Sequence, residues 1–404
     1  MSVASCDIFI SGGGIAGLVA ALGFAHSGFS TVLADPGPLP EPSDQSDLRS
    51  TAYLQPGRAL LDEIGVWPDL AVAATPLETL RVIDSAGDPP AIRTERAFRS
   101  DDLGAVAFGW NLPNALTRQV LAERATTTDG LTLKFGTGFS NLLSRDGEAR
   151  ITLGDGTRIA ARLAIAADGR ASPLREAAGI DVEITRYGQK ALAFAVTHEV
   201  PHNAVSTELY LSGGAFVLVP LPDHRGQPAS AVVWMNDGPE ALRLHALDDD
   251  AFARAATLRS CNVLGPLSLS SPRQVWPVVT QKAKALTARR VALVAEAAHV
   301  LPPIGAQGLN TSLMDIRLLL DLARKAPDSL GTRPYLDRYA KAREADIRAR
   351  ARIIDLYNRL CRSDAPPAQA LRSLGLRTVH DIAPLRQRVM QAGLGRARKA
   401  PSSV

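Results

Sequence analysis

The chain has 404 residues, of which 46% are hydrophobic and 21% charged, and its net charge is +4. The length exceeds what one compact core usually fills, so we expect two packed domains, and the composition excludes a disordered, collagen-like or fibrous protein. The apolar runs, such as 164–167 and 291–295, are far shorter than the roughly 20 residues of a transmembrane helix.

Cysteine and charge usage narrow the class further. Cys6, Cys261 and Cys361 lie far apart without CxxC spacing, which predicts reduced structural thiols and no zinc site or disulfide framework. The N-terminus lacks the features of a secretory signal, so we expect a cytoplasmic protein. No metal is assigned, since metal-ligand spacing is missing around the histidines, including His198, His202 and His224.

The basic charge is concentrated at the C-terminal end. Residues 333–404 contain 16 Lys+Arg and 6 Asp+Glu, or +10, which leaves −6 for residues 1–332. This pattern is typical of a solvated helix, and it also suits nucleic acid, anionic lipid or an acidic partner. Interleaved aromatic residues for base stacking are missing, so we expect no nucleic-acid partner.

The N-terminal residues predict one βαβ unit. An apolar strand over 6–11 precedes a glycine cluster at 12–17. A buried helix over 15–27 ends at Gly28, and a second strand over 30–34 leads to Asp35. This order is typical of a nucleotide-binding fold.

The glycine cluster has the form GxGxxG. Gly12 permits the tight turn, Gly14 allows close approach to a pyrophosphate, and Gly17 allows close packing of helix on strand. Asp35 lies 18 residues beyond Gly17, where a carboxylate can accept both ribose hydroxyls. Taken alone, Asp35 fits a turn carboxylate before Pro36 equally well. Its position favours the ribose role and disfavours a 2′-phosphate, which predicts FAD or NAD and not NADP.

The remaining elements alternate between helical and β patterns. Helices are predicted over 58–64, 114–126, 251–258, 308–324 and 335–361. One shorter helix is predicted after a break at 366–367. Strands are predicted over 132–135, 149–153, 158–167, 191–196, 208–211, 215–220, 229–235, 275–279 and 290–295. The strands within 190–235 predict an antiparallel domain inserted into the first one.

Two further blocks carry chemistry. Asp168 and Gly169 follow a buried strand, in a segment that also fits a turn with an Asx-type hydrogen bond. Residues 294–310 predict a strand, a tight turn and a helix N-terminus that can stabilise the negative charge of a reduced flavin. Within this block His299 is a candidate acid or base, but its apolar neighbours favour a packed histidine.

In this order and spacing, the three blocks resemble class A flavoprotein monooxygenases of the para-hydroxybenzoate hydroxylase type, over nearly the whole chain. Residues 187–189, 216–220, 276–277 and 303–310 most resemble the ubiquinone-biosynthesis hydroxylases. The resemblance implies an α/β fold with a Rossmann-like FAD-binding domain, an inserted antiparallel-sheet substrate domain and C-terminal helices. The implied domains are FAD binding (1–75, 105–188, 280–330), substrate (76–104, 189–279) and a basic helical segment (331–404).

The same resemblance implies cofactor contacts at particular residues. Gly12, Gly14 and Gly17 would meet the FAD pyrophosphate, and Asp35 the adenosine ribose. Arg49 would lie near the pyrophosphate or flavin edge and Arg118 would reach FAD from its helix, although both also fit surface salt bridges. Further contacts are implied for Asp168 and Gly169 beside FAD and the nicotinamide, Glu296 at the ribityl chain, and the backbone of Gly308, Leu309 and Asn310 at the flavin ring.

Two positions depart from the family pattern. The usual Gly-Asp pair is Ala295-Glu296, and the usual Ala-Gly before Gln is Gly305-Ala306. We expect the longer carboxylate to reach the ribityl chain still, and the exchange to keep one flexible residue in the turn.

The implied function is aromatic-ring hydroxylation with FAD and O₂ through a C4a-hydroperoxyflavin, on a polyprenylated phenol of ubiquinone biosynthesis or another aromatic substrate. Only one nucleotide fingerprint is present, so NAD(P)H would bind transiently or an external reductant protein would deliver electrons. The basic tail fits an anionic surface at the inner face of the membrane or a quinone-biosynthesis complex. Catalytic side chains are not assigned.

Two alternatives stay open at this point. The same blocks fit a flavin reductase, or a hydroxylase of another substrate. The Ala295-Glu296 departure also fits a catalytically weak accessory subunit of a quinone-biosynthesis complex.

Overall fold

The computed structural model describes residues 3–41, 49–211, 213–363 and 366–394. The strands are β1 (Ala4–Ser11), β2 (Thr31–Asp35), β3 (Ser50–Leu54), β4 (Thr75–Leu77), β5 (Thr79–Ala86), β6 (Ala91–Arg99), β7 (Gly109–Pro113), β8 (Leu131–Phe135), β9 (Phe139–Ser144), β10 (Ala149–Leu153), β11 (Arg158–Ala166), β12 (Val182–His198), β13 (Val205–Leu211), β14 (Gly214–His224), β15 (Gln227–Asp237), β16 (Leu267–Leu269), β17 (Gln274–Ala283), β18 (Thr287–Ala288), β19 (Val291–Leu293) and β20 (His299–Val300).

Helices lie between the strands along the chain and connect them, or follow the last strand. They are α1 (Ile15–His26), α2 (Gln55–Glu63), α3 (Trp67–Ala71), α4 (Asn114–Thr126), α5 (Pro173–Ala177), α6 (Gly238–His245), α7 (Asp249–Arg259), α8 (Ala295–Ala298), α9 (Gln307–Lys325), α10 (Arg333–Arg362), α11 (Pro366–Asp381) and α12 (Ala383–Gly393). Within the described ranges, none of them combines the length and apolarity needed to cross a bilayer.

The first sheet has the order β18-β19-β11-β1-β2-β8, and β1 pairs in parallel with both β11 and β2. Helix α1 connects β1 to β2 and is buried from Ala16 to Phe24, because it packs between the sheet and α9. Ile8, Phe9 and Ile10 of β1 are fully buried, as expected for the central strand of a sheet covered on both faces. The carboxyl ends of β1, β2 and β11 therefore meet at one edge, where ligands bind in such sheets.

The second sheet has the order β20-β17-β12-β15-β14-β13-β5-β6 and is largely antiparallel. Its strands alternate between two faces. One face packs Leu209, Phe216 and Trp234 against Phe252 of α7 in a separate core. The opposite face carries small apolar side chains with a few polar ones and lines a cavity.

A small third sheet, β3-β7-β4, connects the two larger sheets. The side chain of Asn111 on β7 donates a hydrogen bond to the Pro220 carbonyl of β14 at 2.8 Å. On α10, the Tyr335 hydroxyl donates to the Leu319 carbonyl of α9, and the Tyr339 hydroxyl donates to the Leu293 carbonyl of β19, both at 2.7 Å. Helix α11 lies against β6 and α12 against the short turn Ser100–Leu103 that follows it, so the C-terminal helices contact both halves of the molecule.

The structure confirms the α/β class with C-terminal helices, and α4 and β10 have the predicted bounds. The other predicted elements are present with shifted ends, and two of them need correction. The strand predicted over 290–295 ends at Leu293, because Ala295 adopts a left-handed φ of 55° and begins α8. The single helix predicted after 366–367 is two helices, because Ile382 is extended and separates α11 from α12. The predicted domain boundaries stay a prediction, and β12 runs across the one at 188.

Candidate functional site

A cavity of about 2200 Å³ extends from the carboxyl edge of the first sheet, along the second sheet, to the C-terminal helices. Ligand pockets usually measure about 300–1,000 Å³, so this cavity has room for a large cofactor and a second molecule. Ten of the twelve site residues expected from the sequence line it: Gly12, Gly14, Asp35, Arg49, Arg118, Asp168, Gly169, Glu296, Gly308 and Leu309. The other two, Gly17 and Asn310, support its wall from behind.

The glycine turn after β1 is tightly packed on one side and open on the other. Gly12 has a φ of 111°, and a Cβ there would lie 2.4 Å from the Ala167 carbonyl oxygen. A Cβ at Gly17 would lie 1.9 Å from the Gly12 carbonyl oxygen. At Gly14, the N-cap of α1, a Cβ would meet nothing within 4 Å. No described side chain caps α1, so its first N–H groups are available to an anion in the cavity.

Asp35 stabilises this turn from the end of β2. Its carboxylate accepts hydrogen bonds from the backbone N–H groups of Gly13 and Gly37. A carboxylate has about four acceptor positions, so two remain for hydroxyl donors in the cavity. The carboxylate thus has the turn-forming role expected for an aspartate before Pro36, and it keeps acceptor positions for a ribose.

The two arginines expected near FAD lie at the cavity with partners of their own. The Arg118 Nε donates to the Gly13 carbonyl at 3.0 Å, which ties α4 to the glycine turn. The Arg49 guanidinium carbon lies 4.9 Å from the centroid of the Trp276 ring, in a cation–π contact. Their contacts with FAD stay predictions.

Asp168 organises the turn that follows β11. It accepts hydrogen bonds from the Ser11 hydroxyl at 3.0 Å, from the Ser172 hydroxyl, and from the Leu174 N–H at 3.1 Å. Burial raises the pKa of Asp168 although these donors oppose the shift. The structure therefore shows the turn-forming role, next to Gly169 in a left-handed conformation with a φ of 83°.

A buried ionic cluster lies behind Glu296. Asp315 of α9 accepts from the Ala295 N–H at 3.2 Å, from His299 Nε2 at 2.7 Å and from Arg343 Nε at 2.7 Å. Burial acts to raise the pKa of Asp315, but His299 and Arg343 lower it below its usual range. The side chain of His299 is fully buried, but the residue lines the cavity and its Nδ1 has no hydrogen-bond partner among the described residues. Glu296 itself is exposed toward the cavity.

The turn before α9 keeps one glycine, Gly305, as expected. Gly305 and Ala306 both have left-handed φ values, 61° and 54°. Ala306 adopts this conformation although it carries a Cβ. Gly308 and Leu309 line the cavity, whereas the side chain of Asn310 binds β3 through the Ala52 carbonyl at 2.7 Å.

Comparison with known proteins identifies the family. A family model described as FAD binding domain matches residues 5–352. The chain belongs to this family of FAD-dependent monooxygenases. It is 30% identical to the ubiquinone hydroxylase UbiL of Rhodospirillum rubrum over 98% of this chain and 91% of that protein. It is 27% identical to the 3-demethoxyubiquinol 3-hydroxylase of Escherichia coli, over 96% and 98%.

A solved structure shows the same fold. The p-nitrophenol 4-monooxygenase PnpA of Pseudomonas putida superimposes with a TM-score of 0.80, over 98% of this chain and all of that one, at 16% identity. The monooxygenase described here uses FAD as its cofactor.

The residues present fit FAD. Two helices, α1 and α9, have N-termini at the cavity that no described side chain caps, and such termini stabilise negative charge. A Cβ would meet nothing within 4 Å at Gly14 or Gly308, so backbone is accessible to a ligand at both. The carboxylate of Asp35 also lines the cavity and suits hydroxyl donors.

Several cavity residues of the monooxygenase were missed by the sequence reasoning. On β13, Ser206, Glu208 and Tyr210 face the cavity, and Tyr357 of α10 and Arg372 of α11 complete the polar part of this wall. The sequence feature that could have indicated these residues is the alternation of polar and apolar residues over 205–211. Alternation alone does not distinguish a solvent face from a cavity face, so it did not point to a site.

Proposed function

We propose that this monooxygenase hydroxylates the aromatic ring of a polyprenylated phenol in ubiquinone biosynthesis. The observation that carries the proposal is the apolar end of the cavity, which suits an isoprenoid chain. Beyond the FAD turn, it is lined by side chains of the C-terminal helices: Leu360, Leu371, Leu376, Val379, Val389 and Met390. The similarity to the two ubiquinone-pathway hydroxylases supports the same substrate class.

The chain's own residues would bind the cofactor and exclude water from the flavin and substrate rings. The uncapped N–H groups of α1 would hold the pyrophosphate, and Asp35 the ribose. The uncapped N-terminus of α9, next to Gly308, would stabilise negative charge on the flavin ring. Bound FAD, once reduced, supplies the activation of O₂ and the delivery of electrophilic oxygen. Leu301 and Ile304 line the cavity, belong to one apolar cluster with Tyr210, and would exclude water from it.

The reductant is part of the proposal. We infer that NAD(P)H reduces the flavin while bound transiently, with an external reductant protein as the alternative electron donor. Mixing the purified, FAD-loaded protein with NADH or NADPH without O₂ and following flavin bleaching distinguishes the two. Bleaching by a nicotinamide alone is expected, and its complete absence would favour the protein donor.

The experiment that tests the function is deletion of the gene in its host, followed by mass spectrometry of quinone precursors. A prenylated phenol that lacks one ring hydroxyl should accumulate, and the wild-type gene should restore the quinone. Normal quinone levels, with no accumulated precursor, would contradict the proposed substrate. Accumulation of an intermediate with all its ring oxygens would point to another step.

We also propose that the C-terminal helices contact an anionic membrane surface or a quinone-biosynthesis complex. Exposed apolar side chains lie on these helices, in a segment with an excess of basic residues over 333–404. These are Ile353, Leu356, Leu371, Leu374, Ile382 and Val389. Co-sedimentation should increase with the anionic lipid content of vesicles and fall in the Leu356→Ser/Leu374→Ser variant. Equal sedimentation with neutral and anionic vesicles would refute the membrane contact.

A further inference from the structure

Glu208 is a buried acid on the cavity face of the second sheet. It lies in the middle of β13, between Ser206 and Tyr210 on the same face. Its register partners on the neighbouring strands are Val82 of β5 and Val217 of β14, so its surroundings in the sheet are apolar. Burial of a carboxyl group in apolar surroundings lowers the stability of the fold, so a purely structural role explains Glu208 poorly.

The surroundings of Glu208 favour a hydrogen-bonding role. The Tyr210 hydroxyl donates a hydrogen bond to Glu208 Oε2, and the Tyr210 ring lies edge-on to Tyr357 of α10 at 5.4 Å. Among the described residues, no cation lies within 4.0 Å to form an ion pair with Glu208. Burial raises the pKa of Glu208, opposed by the hydrogen bond from Tyr210. A raised pKa brings the carboxylate closer in basicity to a phenol.

The other titratable groups facing this part of the cavity are poor proton acceptors. Burial raises the pKa values of Tyr210 and Tyr357 well above their usual range, so both stay protonated donors. Burial also raises the pKa of Cys361 to about 12. Asp84 of β5 is held in ion pairs by Arg372 of α11 and by Arg93 of β6.

His299, the remaining candidate, belongs to the wall formed by α8 and β20. Its Nε2 binds Asp315 at 2.7 Å within the buried ionic cluster, and its side chain has no exposed surface. Its Nδ1 has no hydrogen-bond partner among the described residues, and His299 lies in the cavity lining. Glu208 is the carboxylate on the second-sheet wall of the cavity that no described cation pairs with.

We propose that Glu208 is a catalytic residue that accepts the proton of the substrate's phenolic hydroxyl. The O–H bond of the phenol breaks, a new O–H bond forms on the Glu208 carboxylate, and the electron pair stays on the phenolate oxygen. The more electron-rich phenolate ring forms the new C–O bond more readily. The O–O bond of the reduced oxygen breaks, and its second oxygen atom leaves with the electron pair and ends as water, with the two electrons supplied by the reductant. When the ring regains aromaticity, the hydroxylated carbon loses its hydrogen as a proton and Glu208 returns its own proton to the ring oxygen. This inference rests on the proposed hydroxylation of a phenol.

The test compares Glu208→Gln with the wild type, using a 2-prenylphenol with a short isoprenoid chain. Gln keeps the shape and a hydrogen-bond acceptor but takes no proton, so kcat should fall by about 10²–10⁴-fold while KM stays within a few-fold. The acidic limb of the kcat–pH profile should vanish in Glu208→Gln and persist in Glu208→Asp. The control is Glu183→Gln on β12, an exposed acid of the same sheet, which should leave kcat unchanged.

A second readout separates failure of the inference from failure of the proposed function. Quenching of flavin fluorescence reports binding of the 2-prenylphenol and of its O-methyl ether to the FAD-loaded protein. The wild type should prefer the phenol, and Glu208→Leu should lose that preference. A hydroxylating wild type with an equally active Glu208→Gln, or an unchanged acidic limb, would overturn the role of Glu208. A wild type that prefers the phenol but never hydroxylates it would refute the proposed function and leave Glu208 as the hydroxyl acceptor.

Discussion

Replacement of Asp315 by Asn should destabilise the chain by removing the charge that holds its buried ionic cluster. Asp315 and His299 have fully buried side chains, and that of Arg343 is 8% exposed. Removal of one partner from a buried ion pair costs about 3–5 kcal/mol, because the remaining charge is left uncompensated. Arg343 keeps a second contact, to Asp346 at 2.8 Å. We therefore expect a loss near the lower end, about 3 kcal/mol at neutral pH.

The pH dependence of that loss has a definite sign. The folded pKa of Asp315 lies below its usual value, because His299 and Arg343 outweigh burial. Such a carboxylate stabilises the fold fully above the unfolded pKa of about 3.9, and the contribution disappears as pH falls through the lower folded pKa. Asp315→Asn lacks the contribution at every pH. The stability difference between wild type and variant should therefore be constant near neutral pH and shrink in acid.

Urea unfolding of the FAD-free proteins, followed by circular dichroism, measures the difference. The matched control is Asp346→Asn, which removes the more exposed partner of Arg343 and should cost less than about 1 kcal/mol. A loss below about 1 kcal/mol in Asp315→Asn at neutral pH, or one that grows in acid, would refute the reasoning.

Three further predictions follow from backbone strain and burial. Ala295→Gly should raise the free energy of unfolding, measured in urea, by up to about 1 kcal/mol. Glycine adopts the φ of 55° without the steric cost of a Cβ, although it also raises the entropy of the unfolded chain; destabilisation would contradict this. Gly12→Ala should abolish FAD binding, measured by flavin fluorescence, because its Cβ would lie 2.4 Å from a carbonyl oxygen; wild-type affinity would disprove the tight turn. Iodoacetamide at pH 8 should modify Cys261 before Cys6 and Cys361, whose pKa values burial raises to about 12, as mass spectrometry of the folded protein would show; equal rates would be inconsistent with their burial.

Local motifs predicted the cofactor side of the cavity well. The glycine turn and Asp35 lie within one βαβ unit, where tight-turn sterics and helix packing depend on residues close in sequence. Gly17 shows this most clearly, because the close approach it permits is to Gly12, five residues earlier. Dinucleotide binding could therefore be predicted from these residues, whereas the choice of FAD over NAD depended on the resemblance to the family.

The substrate side depends on distant pairing and was not visible. Glu208 faces the cavity only because β13 pairs with β5, more than a hundred residues earlier. The helices α10 and α11 then bring Tyr357 and Arg372 to the same wall. Backbone conformation was also hidden, since nothing in the letters of Gly305-Ala306 indicates that both residues are left-handed. These features need the tertiary structure.

The most direct test of the account is a single-turnover reaction of the purified, FAD-loaded protein with a 2-prenylphenol, a nicotinamide donor and isotope-labelled O₂. Mass spectrometry of the product should show one labelled oxygen atom on the ring. Flavin reoxidation with no label in the ring, or ring oxygen that comes from water, would contradict the proposed hydroxylation.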